Sequence, residues 1–82
     1  MKLSKAQADI IKKMRDGWEF CVWRRGAPKY LAGALYEYCS EETICVHHQI
    51  TAALLRKGLI QHEYFDRNHY YVLTLKGREV DL

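Results

Sequence analysis

The last third of the chain, from Ile50 to Val80, constrains the fold more than any other stretch. A run with helical periodicity ends at Gly58, and two apolar-alternating segments follow on either side of a polar turn, Asp66-Arg67-Asn68-His69. Glycine often ends helices because it adopts the left-handed conformation at little steric cost. The pattern predicts a helix that leads directly into a β-hairpin.

The hairpin strands are predicted at Leu59–Phe65 and Tyr70–Leu75 because both segments are rich in β-branched and aromatic residues. Asn68 suits the turn because asparagine tolerates positive φ. After the second strand, Thr74 is a good N-cap residue, and we expect it to begin a final helical turn over Lys76–Val80.

The first helix is predicted at residues 4–16. Ser4 and Gln7 have the spacing of a capping box, Leu3 precedes them at the hydrophobic-staple position, and Gly17 suits the helix end. Apolar residues recur at helical spacing and should form one buried face: Ala6, Ile10, Ile11 and Met14.

The middle of the chain gives three weaker signals. The segment Trp18–Trp23 is typical of a short strand. Lys29–Cys39 predicts a second helix, although Gly33 inside it would cost about 1 kcal/mol relative to alanine. A third helix is expected from Thr43 or Ile44 to Lys57, and Gly58 should end it.

This element order and two short motifs resemble the winged helix-turn-helix superfamily, notably its MarR and PadR types and small phage-borne relatives. Leu54-Leu55-Arg56-Lys57-Gly58-Leu59-Ile60 is similar to the family's leucine–basic–glycine–leucine junction. Leu73-Thr74-Leu75-Lys76-Gly77-Arg78 is similar to its closing leucine-threonine-x-x-glycine. The resemblance implies an α+β fold, a winged helix-turn-helix of three helices with a small antiparallel sheet ending in a β-hairpin wing. It would form one domain over residues 1–82.

Composition excludes several classes of protein. The chain has 82 residues, a length typical of one domain, and a 49% hydrophobic content that can form a core without staples. No apolar run approaches the ~20 residues of a membrane span, and no signal-peptide core precedes the first helix. Three cysteines without regular spacing fit a reducing compartment, so a cytoplasmic protein without membrane contact is expected.

The resemblance implies a transcriptional regulator of bacterial or phage origin that binds duplex DNA. A helical projection puts Val46, Ile50, Leu54 and Leu55 on one side of the third helix. The opposite side would face the bases and presents His48, Gln49, Ala52 and Arg56. The alternative is that these are ordinary solvated residues of an amphipathic helix. The formal net charge of +3 is mildly favourable for nucleic acid.

Two further groups are expected near the DNA backbone. The first group, in the wing turn, is Arg67, Asn68 and His69. The second group, at the approach to the second helix, is Arg24, Arg25 and Lys29. A polar hairpin turn and a solvated basic loop would explain the same residues.

Glu37, Glu41 and Glu42 argue against DNA because they bracket the approach to the third helix, where carboxylates repel phosphate. They make a protein-protein interaction module on a winged-helix scaffold the rival hypothesis. The aromatic residues outnumber what a core this size can bury, and exposed aromatics commonly anchor interfaces: Trp18, Trp23, Tyr30, Tyr36, Tyr38, Tyr64, Tyr70 and Tyr71. A dimer would make its contacts through the first helix or the Trp18–Trp23 strand, or else with a further partner protein.

Metal binding and catalysis have little support. Weak zinc candidates fall within ten positions but lack paired-ligand spacing: Cys39, Cys45, His47 and His48. Burial as free thiols is sufficient to explain Cys21, Cys39 and Cys45. Nucleophile signatures and phosphate-binding glycine loops do not occur. We therefore expect no cofactor, no structural metal and no enzymatic activity.

Overall fold

A computed structural model of the protein describes residues 2–22, 31–36, 43–65 and 68–82. Within these ranges it has three helices and five strands, in the order α1 (Lys5–Arg15), β1 (Glu19–Val22), β2 (Leu31–Tyr36), β3 (Thr43–His47), α2 (His48–Arg56), β4 (Ile60–Phe65), β5 (Asn68–Leu73) and α3 (Leu75–Glu79). The strands form one antiparallel sheet in the order β3-β2-β1-β5-β4. The fold class is therefore α+β, as predicted. The described ranges contain no helix long and apolar enough to cross a membrane.

The first helix is confirmed, and its start depends on the predicted capping box. The Ser4 hydroxyl accepts a hydrogen bond from the Gln7 backbone N–H at 3.2 Å, and the Gln7 side-chain oxygen accepts from the Ser4 N–H at 3.3 Å. The helix is followed by Gly17 in the left-handed region, with φ of 97°. Each end of α1 is thus set by residues within one helical turn of it.

The core lies between the helices and one face of the sheet. Phe20 is opposite both Leu35 and Tyr71 in the strand register, so these side chains share that face. Tyr71 is partly buried against the core cluster. The buried cluster itself comes from α1, β1, β2, β3, α2 and the α2–β4 junction: Ile10, Ile11, Phe20, Leu35, Val46, Leu54, Leu59 and Ile60. Met14, Ile50 and Leu73, whose positions in the apolar pattern predict burial, are only partly buried against this cluster, and Ala6 on the predicted buried face of α1 is exposed. The side chain of Leu31 lies outside the described part.

The predicted second helix, Lys29–Cys39, is wrong where the structure describes it. Residues 31–36 form β2, which is hydrogen-bonded to β1 on one side and β3 on the other. Gly33 allows β1 to come this close, because a Cβ at this position would overlap the carbonyl oxygen of Cys21. Pairing on both sides buries Ala34 and Leu35, and this tertiary gain outweighs the helical propensity of leucine and alanine.

The third helix begins later than predicted. Thr43–His47 is strand β3, and α2 starts only at His48. The β-branched residues Thr43, Ile44 and Val46 favour an extended backbone, and Val46 is buried beside β2 while Cys45 is exposed. The end of the helix matches the prediction, because Gly58 follows with φ of 73°.

The hairpin and the final helical turn both form, but β5 begins and ends two residues earlier than predicted. Asn68 and His69, expected in the turn, are the first residues of β5, and Leu75, expected in the strand, begins α3. Strands β4 and β5 pair in register from Ile60 opposite Leu73 to Phe65 opposite Asn68. Thr74 caps α3 by accepting a hydrogen bond from the Gly77 N–H at 3.0 Å. The predicted second and third helices do not follow each other directly before the hairpin in the described ranges, because residues 31–36 and 43–47 form strands β2 and β3.

Candidate nucleic-acid interface

Helix α2 exposes the side that the sequence analysis assigned to DNA. Its exposed residues include His48, Gln49, Ala52 and Arg56. On its opposite side Thr51 and Leu54 are buried. One neighbour departs from the expectation: Leu55, placed on the apolar side by periodicity, is 39% exposed. The exposed side therefore presents an amide, an imidazole, a guanidinium, a small residue and one apolar side chain.

His47 caps the start of α2. Its Nδ1 accepts a hydrogen bond from the Gln49 N–H at 3.1 Å, and its ring stacks on that of His48 with centroids 4.7 Å apart. His47 was predicted as a weak metal-ligand candidate, whereas in the structure it has the N-cap role usually taken by serine or aspartate. The helix contains no carboxylate, and Arg56 is a cation on its exposed side.

The α2–β4 junction is held by the start of α3. The Thr74 hydroxyl donates a hydrogen bond to the carbonyl oxygen of Gly58 at 2.6 Å, and the Thr74 N–H donates to that of Leu59 at 3.0 Å. Gly77 packs so closely that a Cβ there would overlap the Leu59 carbonyl oxygen. The two motifs identified in the sequence therefore contact each other, and together they fix the direction of the hairpin relative to α2.

Two basic side chains are engaged within the fold. The guanidinium of Arg15 donates to the carbonyl oxygen of Gly77 at 3.1 and 3.3 Å, which ties α1 to α3. The ammonium of Lys57 donates to the side-chain oxygen of Gln7 at 2.6 Å and to the carbonyl oxygen of Lys2 at 3.3 Å. These cations stabilise the helix packing and are poorly placed to reach a partner.

The hairpin carries a row of rings on the sheet face that also holds the core. The His62 and His69 rings stack with centroids 4.6 Å apart; Tyr64 lies 4.8 Å from His69, and Tyr71 lies 5.9 Å from His62. His69, expected near DNA, is therefore half-buried in this ring cluster. Asn68, its neighbour at the start of β5, is exposed.

Several predicted site residues lie outside the described part of the chain: Arg24, Arg25, Lys29, Arg67 and Cys39, with the carboxylates Glu37, Glu41 and Glu42. Of the remaining thiols, Cys45 is exposed, contrary to the expectation of a buried cysteine, and Cys21 is half-buried. Among the described residues, no three of His, Cys, Asp and Glu come together as a metal site, so Cys45, His47 and His48 do not form one.

An open groove of about 660 Å³ lies where the end of α1 meets β1 and the hairpin. Aromatic side chains line it together with charges of both signs: Trp18, Phe65, Tyr70, Glu19, Glu63 and Arg78. The Lys13 ammonium lies 5.3 Å from the centre of the Trp18 ring. Sequence reasoning missed this groove because its walls come from segments that are distant along the chain.

Comparisons of the chain with protein-family models, with curated proteins and with solved structures found no match. The resemblance to winged-helix proteins therefore depends on the two sequence motifs and the predicted element order.

Proposed function

We propose that the protein is a small DNA-binding domain of winged-helix type that acts as a transcriptional regulator. In this proposal α2 lies in the major groove and the β4–β5 hairpin serves as the wing on the adjacent backbone. The observation that carries it is the exposed, carboxylate-free side of α2, which is linked to the end of the hairpin by the hydrogen bond from Thr74 to Gly58.

The residue types on this side suit base recognition. A glutamine such as Gln49 can pair with adenine, and an arginine such as Arg56 can reach guanine or a phosphate. Ala52 lies between them on the exposed side and is small enough to allow close approach of the helix to the bases. The mechanism would be positional, through occupation of the groove, and would involve no chemistry.

The proposed arrangement differs from the family pattern in what supports the recognition helix. Strand β3 runs directly into α2, and Thr51 and Leu54 pack the helix onto the sheet core. The sheet would therefore do the positioning that a preceding helix does in the winged-helix pattern. A rigid support of either kind meets the requirement that base contacts be held in register.

The test is a titration of a fluorescent duplex at ~50 mM salt, where even non-specific readers bind. Arg56→Ala should weaken binding and lower the salt slope by about one unit if the guanidinium contacts phosphate. Lys12→Ala is the matched control, since it removes one positive charge from the exposed surface of α1. Absence of binding by folded protein would overturn the proposal.

Base readout is tested separately by selection of bound sequences from a random duplex pool. Gln49→Ala should relax the preference at one base pair, at a cost of roughly 1–3 kcal/mol there. Arg56→Ala should leave that position unchanged. A variant with unaltered preference throughout would show that α2 does not face the bases.

A protein-protein interaction module is the second function, favoured by a specific observation. Tyr64 is 61% exposed and Phe65 is 74% exposed at the end of β4, and Leu75 is 71% exposed at the start of α3. Large apolar side chains at these exposures are typical anchors of interfaces. Phe65→Ser should then abolish self-association or partner capture, measured by sedimentation, while duplex binding stays unchanged.

The structure also narrows the choices for a homodimer. Strand β1, which contains most of the Trp18–Trp23 segment, pairs with β2 on one side and β5 on the other. Its backbone has no free edge for another chain, so a dimer through this segment would have to use side-chain contacts. The outer strands of the described sheet are β3 and β4.

A further inference from the structure

We propose that His62 and His69 form a two-histidine chelating site for a divalent late transition-metal ion such as Ni²⁺, Cu²⁺ or Zn²⁺. The site lies on the hairpin, away from the Cys45–His48 segment that the sequence analysis considered. It does not depend on whether the protein binds DNA.

Strand register brings the two imidazoles together. His62 is opposite Tyr71 and His69 is opposite Tyr64, so the histidines occupy diagonal positions on one face of neighbouring strands. Their rings stack at an interplanar angle of 28°, and Nε2 of His62 is in direct contact with Nδ1 of His69. Two imidazole nitrogens, either of which can carry a lone pair, are therefore adjacent on the hairpin.

The two nitrogens lie somewhat closer together than the nitrogens of a chelate. A metal bound to imidazole nitrogen at about 2.0–2.1 Å holds two such nitrogens roughly 3 Å apart. A small separation of the stacked rings would open this space. In the free protein one facing nitrogen donates its hydrogen to the other, so metal binding requires the donating ring to carry its hydrogen on its other nitrogen instead.

The surroundings select the class of ion. Alternation along β4 places Glu63 on the opposite face of the strand from His62, so that β4 carboxylate does not join the pair. A donor set of imidazoles suits Ni²⁺, Cu²⁺ and Zn²⁺, whereas Mg²⁺ and Ca²⁺ require oxygen ligands. His62 is exposed and His69 is half-buried, so an ion can approach from solvent and keep water as its remaining ligands.

The aromatic neighbours limit the motion of both rings. Tyr64 packs against His69, and Tyr71 packs edge-on against His62 and against the buried Phe20. A ligand pair held in this way loses little freedom when the metal binds, which favours chelation. The ion would link β4 to β5 and raise the melting temperature of the domain by mass action.

The experiment is calorimetric titration of the whole chain with Ni²⁺, Zn²⁺ and Mg²⁺. Ni²⁺ is preferred to Cu²⁺ because Cu²⁺ would oxidise the exposed Cys45 thiol. His62→Gln and His69→Gln should each weaken Ni²⁺ and Zn²⁺ binding by about tenfold or more, since the second ligand acts at high effective concentration. Two control variants, His48→Gln and Cys45→Ser, should leave the affinity unchanged.

A second measurement on the unaltered protein does not depend on how the variants fold. Sub-stoichiometric Ni²⁺, which is paramagnetic, should broaden the imidazole NMR signals of His62 and His69 before those of His47 and His48. The reverse order would overturn the proposal, as would Ni²⁺ affinity unchanged in folded His62→Gln or Mg²⁺ binding as tight as Zn²⁺.

Discussion

The Thr74 hydroxyl donates a hydrogen bond to the carbonyl oxygen of Gly58 at 2.6 Å while it accepts one from the Gly77 N–H at 3.0 Å. One side chain therefore satisfies a carbonyl at the end of α2 and an N–H in the first turn of α3. Because Gly58 is where the chain turns from α2 into the hairpin, this bond links the candidate recognition helix to the candidate wing.

Thr74→Val should destabilise the domain by about 1.5–3 kcal/mol, because it removes an N-cap and a second hydrogen bond while keeping the shape of the side chain. Urea denaturation measures the change. Thr74→Ser retains the hydroxyl and should cost far less. Equal losses in the two variants would show that packing of the methyl group matters and the hydroxyl does not.

Gly33→Ala discriminates between a strand and a helix at this position by the sign of its effect. In a helix interior the change would stabilise by about 1 kcal/mol. In β2 the new Cβ would overlap the Cys21 carbonyl oxygen, so we expect a loss of about 1–3 kcal/mol or more. Ala52→Gly on the exposed side of α2 is the reference, since it should show the helical cost of about 1 kcal/mol.

Leu54→Ala should cost roughly 2–5 kcal/mol, because the side chain is fully buried among Ile11, Leu35 and the rest of the core. The neighbouring Leu55→Ala is the matched control and should cost less than about 1 kcal/mol, given its 39% exposure. Thermal or urea unfolding of the pair measures the difference. Similar costs would mean that the two faces of α2 are assigned wrongly.

Removal of metal should leave the fold intact. The buried cluster consists of Ile, Leu, Phe and Val side chains, and the proposed His62–His69 site lies on the hairpin surface. A chelator should therefore change neither the circular dichroism nor the melting temperature of protein prepared without added metal. A large loss of helix signal would instead assign a structural metal to the chain.

Prediction succeeded where the deciding residues lie within a few positions of one another. The Ser4–Gln7 capping box, Gly58 after α2 and Thr74 before α3 each act within about one helical turn. The hairpin between them also depends on adjacent segments and a short turn. Local backbone preference determines such features, so the sequence by itself was sufficient for them.

Periodicity also predicted which residues in the second half of α2 are buried and which are exposed, since it separates buried Leu54 from exposed Ala52 and Arg56. The beginning of α2 did not follow from periodicity, because histidine is a rare N-cap and the β-branched run before it is compatible with either a helix or a strand. His47 becomes the cap only because β3 pairs with β2 up to that residue.

Tertiary pairing alone decided the rest. Leu31–Tyr36 is compatible with a helix on its own, and it becomes a strand because β1 and β3 supply hydrogen-bond partners on both sides and Gly33 lets β1 approach. The contact between His62 and His69 likewise exists only in the β4–β5 register. Local preferences amount to a few tenths of a kcal/mol per residue, and burial of side chains such as Leu35 outweighs them.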